Sequence, residues 1–368
     1  VVLPIVRSTI QSKDPVKKLI VDIVAGYDKS DKLEMQSLGS DTNGKIVSRT
    51  KRRIESRKDL RYAVDVSKLI PGKYEFTFNL LKNARKVASQ TVPLIVAPPA
   101  ATEVSFDNNR ICYVNGKPFF PIGLYHVSPA AMLSINEKSR AKGLSELDLF
   151  TVVKQIKDLG FNMIHHTWGM PDEKFMEYTQ SLGLWVIPEI AAPTSSDVAF
   201  ANKYNNILMW YGSDEPSGET LNIIKRNRVQ TALLDPNRPV AAAVNNPDLY
   251  KAALDGFDFV MMDPYLIRSA PLSGIADCIK KGMKAGEGIK PVWLVPQAFT
   301  IDSPWYKEPT PEELKCQAYI GLVNGATGFL WYAFWTSEKC SDNPTGRDVW
   351  VLSDSKLWDA FRNLNAEI

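Results

Sequence analysis

Eight strand-like segments, recurring with helical stretches between them, fill the chain from Val104 to its end and constrain the fold more than any other feature. They are 118–127, 161–168, 184–190, 206–215, 239–244, 257–265, 291–299 and 328–335. Most are apolar runs, as strands buried on both faces should be. Helical patterning centres on 146–160, 172–183 and 218–235, and a closing helix is expected over 354–367. Eight βα units over about 260 residues match a (β/α)₈ barrel. An open doubly wound sheet would want a glycine-rich phosphate turn after an early strand, and none is present.

The first hundred residues follow a different period. Segments 18–27, 60–69 and 72–81 alternate or run β-rich, Pro71-Gly72 reads as a turn, and 88–98 reads as a last strand. Short strands without a convincing helix suggest a small immunoglobulin-like β-sandwich. The proline-rich stretch "APPAATE" at 97–103 reads as a linker. The expected domains are therefore 1–98, all-β, and 99–368, the barrel.

The 368 residues carry 44 Lys and Arg against 41 Asp and Glu, a net charge of +3 that excludes a strong overall pull toward nucleic acid or membrane. The basic run "KIVSRTKRRIESRKDLR" at 45–61 reads as a solvated face, because Glu55 and Asp59 interrupt it. Cys112, Cys278, Cys316 and Cys340 are far apart with no C-x-x-C, which argues against a zinc site. The first residue is not Met, so a removed leader and a secreted, periplasmic or cell-surface location are expected. Residues 317–337 are uncharged, but "NGATG" at 324–328 breaks the run, so no membrane span is expected.

Barrel active sites lie at the C-terminal ends of the strands. The polar residues there are Tyr125 and His126 on strand one, and His165, His166 and Trp168 on strand two. Glu189 ends strand three, Asp214 and Glu215 strand four, Asn245 and Asn246 strand five. Asp263 and Tyr265 end strand six, Gln297 strand seven, and Trp331, Tyr332 and Trp335 strand eight. Such a rim suits a sugar: aromatic rings stack on its apolar faces, while carboxyls and amides bind its hydroxyls. The three histidines would be the ligands of a metal site, but neighbours His165 and His166 should point to opposite faces of their strand. No metal and no cofactor are expected.

The stretches "VNGKPFFPIGLYHV" (114–127), "GFNMIHHTWGMPDEKFMEYTQSLGLWVIPEI" (160–190) and "NNILMWYGSDEP" (205–216) resemble, in order and spacing, the clan A glycoside hydrolases. That clan has a Trp-containing strand four ending in Asn-Glu. The resemblance covers about 104–367, and a preceding β-sandwich is common in it. It implies a carbohydrate substrate and makes Glu215 the general acid/base. The residues alone agree: a glycosidase needs an acid to protonate the leaving oxygen, and packing near Trp210 would raise the pKa of Glu215 by desolvation. The alternative makes Glu215 a helix N-cap, with Pro216 in the first turn.

Two departures stand out. Where the clan carries a Glu nucleophile on strand seven, this chain has Gln297, and Asp214 replaces Asn before the acid. Neighbouring Asp-Glu pairs on strand four resemble hexosaminidase families 20 and 123, in which the Asp orients a 2-acetamido group that itself attacks the anomeric carbon. In that reading Asp214 accepts the acetamido N–H, and Gln297 or Tyr265 holds its carbonyl. Otherwise Asp263 or Glu189 supplies the second carboxylate, or the barrel only binds glycans. His126, His165 and Asn245 are the further expected substrate contacts, and Trp331 and Trp335 the expected stacking surfaces.

Overall fold

The computed structural model describes residues 3–23, 31–54, 61–301, 304, 306–335 and 355–368. They fall into two compact units, Val1–Pro118 and Phe119–Ile368.

The first unit is all β. Its five-stranded sheet runs in the order Thr9–Ile10, Arg85–Val96, Gly72–Lys82, Leu33–Asp41, Ile46–Ile54. A two-stranded sheet pairs Lys18–Asp22 with Arg61–Asp65. Alternation puts Tyr74, Phe76, Phe78 and Leu80 on one face of their strand, in one core with Leu19, Val21, Tyr62 and Val64 of the smaller sheet. Two of these strands are not legible in hydropathy. Leu33–Asp41 places Ser37 and Gly39 at buried positions, which hides its period. Ile46–Ile54 is the mostly exposed edge strand, and it carries the basic run; charge on an edge discourages pairing with another sheet. Glu55 and Asp59 of that run lie outside the described residues.

This unit extends past the boundary expected after Pro98. Buried Glu103 accepts hydrogen bonds from Ser12 Oγ (2.5 Å) and the Lys13 amide (2.8 Å), and Gln11 Nε2 donates to the Val104 carbonyl (2.8 Å). A buried carboxylate needs its donors, so Val104–Phe106 and its partner Cys112–Val114 stay with the sandwich.

The second unit is a (β/α)₈ barrel. Its strands are Ile122–Leu124, Met163–His166, Trp185–Pro188, Trp210–Asp214, Val240–Val244, Phe259–Met262, Val292–Leu294 and Phe329–Trp331. All the pairings are parallel, strand one lies beside strand eight, and the ring closes between strands three and four through bridges Val186–Ile207 and Glu189–Tyr211. Helices Leu149–Asp158, Glu173–Ser181, Gly218–Leu234 and Ser355–Glu367 fall where periodicity places them. In Leu149–Asp158 the buried stripe is Val152, Val153 and Ile156, and Asp148 caps the first turn by accepting from the Thr151 amide at 2.8 Å. Helix Pro311–Val323 takes up the start of the uncharged stretch, and no described helix is long and apolar enough to cross a membrane.

One buried ionic cluster fixes strand four from behind. Asp235 accepts from Trp210 Nε1 (3.0 Å) and from Arg238 Nη1 (2.9 Å). Arg238 also donates to the carbonyls of Ile207 (3.1 Å) and Ala201 (2.8 Å), so its charge is both paired and hydrogen-bonded. Trp210 is thereby held on the helix side of the sheet.

Candidate active site

Strand four is irregular where it matters. Its register against strand five shifts between Tyr211 and Ser213, a bulge. In a regular strand residues three apart face opposite ways; the extra residue lets Tyr211 and Asp214 share a side. Gly212, within the bulge, leaves no room for a side chain: a Cβ there would meet Phe257 Cε1 at 2.6 Å and Val240 Cγ1 at 2.8 Å. Gly212→Ala should therefore cost about 1–3 kcal/mol by overpacking, measurable as a lower denaturant midpoint with an unchanged slope.

Past the bulge, Asp214 Oδ1 accepts from Tyr211 Oη (2.7 Å) and from Tyr125 Oη (2.8 Å), whose single proton is shared with Tyr211 Oη. Burial, with Asp214 close by, holds both phenols well above their ordinary pKa, so they stay donors. His165 supports them from beneath, its ring 4.3 Å from that of Tyr125 and 4.5 Å from that of Tyr211. Burial keeps this imidazole well below its usual pKa, and therefore neutral.

Glu215 follows with φ of 42°, a left-handed backbone uncommon for any side chain but glycine, anchored by its amide to the Ala243 carbonyl at 3.0 Å. His126 and Trp168, at the ends of strands one and two, have φ of 61°. Such strain gathers where a site over-determines the chain. Ser217, not Glu215, stands at the helix N-cap. The desolvation expected around Glu215 falls elsewhere: Glu215 is exposed, and Trp210 faces Asp235.

The buried carboxyl is Asp263, only 3% exposed. It hydrogen-bonds to Glu215, and its Oδ1 has no partner among the described residues. Burial first, then the Glu215 charge and that hydrogen bond, then Asp214, push its pKa up to about 9. Two carboxyls in contact cannot easily both ionise.

Asp214, Glu215 and Asp263 line a cleft of about 740 Å³ with Asn245, Asn246, Tyr265, Phe299, Tyr306 and Tyr332. Every charged residue lining it, among those described, is a carboxyl. Its size suits a small ligand. Tyr265, Tyr332 and Phe299 pack edge-on or tilted at centroid distances of 5.0–5.5 Å, a wall of ring faces and edges.

In fold, the chain is similar to solved β-glucuronidases. Bacteroides uniformis β-glucuronidase 2, solved covalently bound to cyclophellitol-6-carboxylate aziridine, superposes with a TM-score of 0.52 at 15% identity, over 95% of this chain and 48% of that one. The Ruminococcus gnavus β-glucuronidase in complex with D-glucaro-d-lactam gives 0.52 at 14%, over 94% and 67%. The Lactobacillus rhamnosus β-glucuronidase gives 0.52 at 16%, over 95% and 67%. The chain thus spans about half the length of the Bacteroides enzyme. No family model matches the sequence, and no curated protein does.

The cleft brings together five of the expected site residues, Asp214, Glu215, Asn245, Asp263 and Tyr265. The other six do not line it. Gln297 is fully buried and spoken for: Oε1 accepts from the Ile267 amide (3.2 Å), and Nε2 donates to the carbonyls of Phe299 (3.1 Å) and Lys307 (3.2 Å). It staples the loops after strands six and seven. Trp331 is no stacking platform either; it faces the helices and meets Phe361 edge-on at 5.0 Å. Trp335 is 1% exposed beneath Trp168, which is 58% exposed. Its carbonyl pairs with His126 Nδ1 at 3.0 Å. Glu189 accepts from Thr167 Oγ1 (2.9 Å) and the Trp168 amide (3.2 Å). His165 and His166 do diverge, His166 turning to Phe175. No group of three or more His, Cys, Asp or Glu among the described residues could hold a metal ion.

Sequence reasoning put Tyr125 on the rim but gave it no role, and it passed over Tyr211, Tyr306 and Phe299. The Tyr-x-x-Asp spacing on strand four reveals its role only once the bulge is known.

Proposed function

We propose that the chain is a glycoside hydrolase in which Glu215 is the general acid/base and a 2-acetamido group of the substrate is the nucleophile. The observation that carries this reading is the Asp214 carboxyl beside Glu215, held at Oδ1 by two buried tyrosine hydroxyls, while its second oxygen accepts from no side chain or amide among the described residues and could take an N–H. A retaining pair stands about 5–5.5 Å apart and an inverting pair about 6.5–9.5 Å. Asp263, the other carboxyl of the cleft, is in hydrogen-bond contact with Glu215, and Gln297 has no free atom to attack with. The aromatic wall and the exposed Asn245 suit a sugar ring and its hydroxyls. Tyr265 lines the same cleft and is kept protonated by burial, so in this reading it would donate to the acetamido carbonyl.

In the reaction, the acetamido oxygen attacks the anomeric carbon as its bond to the leaving oxygen breaks, and Glu215 gives that oxygen a proton. Asp214 holds the acetamido N–H and balances the positive charge of the cyclised intermediate. Water, losing a proton to Glu215, then opens it.

The test compares aryl 2-acetamido-2-deoxyglycosides with their 2-hydroxy and uronic acid counterparts. The acetamido sugars should turn over at least about a hundredfold faster, since the others lack the internal nucleophile. A uronate should fare worst, because its charge enters a cleft whose charged groups, among the described residues, are all acidic. Equal turnover of acetamido and hydroxy substrates would sink the assistance and leave a different nucleophile to be found.

A further inference from the structure

Asp263 is not used by the reaction just described, yet it is the most confined titratable group in the cleft. Its position follows from strand six: Phe259–Met262 is fully buried, and the chain turns at Asp263 and Pro264 toward the ligand space. Its Oδ1 has no partner among the described residues, its carboxyl is hydrogen-bonded to Glu215, and it lines the cavity.

Among the described residues, the titratable groups facing it are all acids. Strand four presents Glu215, Asp214 and Tyr211, and the loop after strand six presents Tyr265. From outside come Tyr250 of helix Tyr250–Ala253 and Cys278 of helix Gly274–Ala285, which hydrogen-bond to each other. Lys281 bears on Cys278. A buried carboxyl among acids keeps a proton, and a second carboxyl in contact with it shares that proton.

We propose that Asp263 is a positioning residue: it holds one proton jointly with Glu215 and so sets the pH range over which Glu215 can act as the acid. This rests on the glycosidase reading of the cleft. The pair gives its one proton to the leaving oxygen as the anomeric C–O bond breaks. It regains one from the water that opens the intermediate, so the proton count closes over the cycle. Glu215 has a proton to give the leaving oxygen only while the pair holds one, and Asp263, buried against it, helps to retain that proton.

The experiment is the pH profile of kcat/KM on an aryl 2-acetamido glycoside, for the wild-type chain and Asp263→Asn. The basic limb of the variant should move to lower pH by about one unit or more, whatever the height of its profile. A merely structural role would lower the whole profile without moving that limb, and an unmoved limb overturns the proposal. A second measurement needs no turnover. With Asp carboxyls labelled with carbon-13, the resonance lost in Asp263→Asn should stay protonated through neutral pH in the wild type, and titrate lower in Glu215→Gln. An Asp263 resonance titrating near 3.9, as a free Asp does, overturns the shared proton. Should the wild type cleave no glycoside, the functional reading falls, and the carbon-13 titration alone decides the pair.

Discussion

Glu215→Gln is expected to lower kcat on a 2-acetamido disaccharide by about 10³, within the range that a placed general acid contributes. An amide is nearly isosteric with the carboxyl, so folding should be unaffected. The diagnostic is dependence on the leaving group. A sugar alkoxide is a poor leaving group and needs the proton, whereas a nitrophenolate leaves with little help. The variant should therefore lose far less on the nitrophenyl glycoside, and the remaining deficit should lie in the second step, where Glu215 takes a proton from water. A loss of the same size on both substrates would mean that Glu215 binds the sugar and does not protonate it. Full activity on both would remove Glu215 from the reaction.

Asp214→Ala should cost about 10²–10³ in kcat, the scale on which a preorganised charge acts at a developing charge. KM should change less, because the acetamido N–H gains its full positive character only as the ring closes. The tyrosine pair makes the assignment sharper. Tyr125→Phe and Tyr211→Phe each remove one hydroxyl from Asp214 Oδ1 and leave its carboxylate in place. Each should lose about tenfold, as expected for one hydrogen bond to a charged group. If Asp214→Ala leaves kcat intact, the nucleophile is not oriented by this residue.

The architecture was largely legible in the amino-acid order. Apolar runs recurring with helices announced the barrel strands, and alternation in 72–81 announced the sandwich. Edge strand Ile46–Ile54 was not, because its charges face water and leave no hydrophobic period. In the site, legibility stopped at the direction of side chains. Trp331 and Gln297 stand at strand ends, as the rim residues do. Trp331 belongs to the parity that faces the helices, and one residue of slip exchanges the two faces. Gln297 lies beyond the end of strand seven, where periodicity no longer applies and its amide finds loop carbonyls.

The sequence by itself determined the eight-strand barrel, the all-β unit ahead of it, and the address of the Asp214-Glu215 pair at the end of strand four. Those properties follow from local patterns, the period of burial and the turn residues between runs. The tertiary structure decided which groups surround that pair: the bulge that turns Tyr211 toward Asp214, the hydroxyl of Tyr125 from strand one, and Asp263 from strand six against Glu215. These contacts join residues far apart in the chain. Their distances and desolvation depend on how strands one, four and six converge at the barrel mouth, which no local pattern encodes.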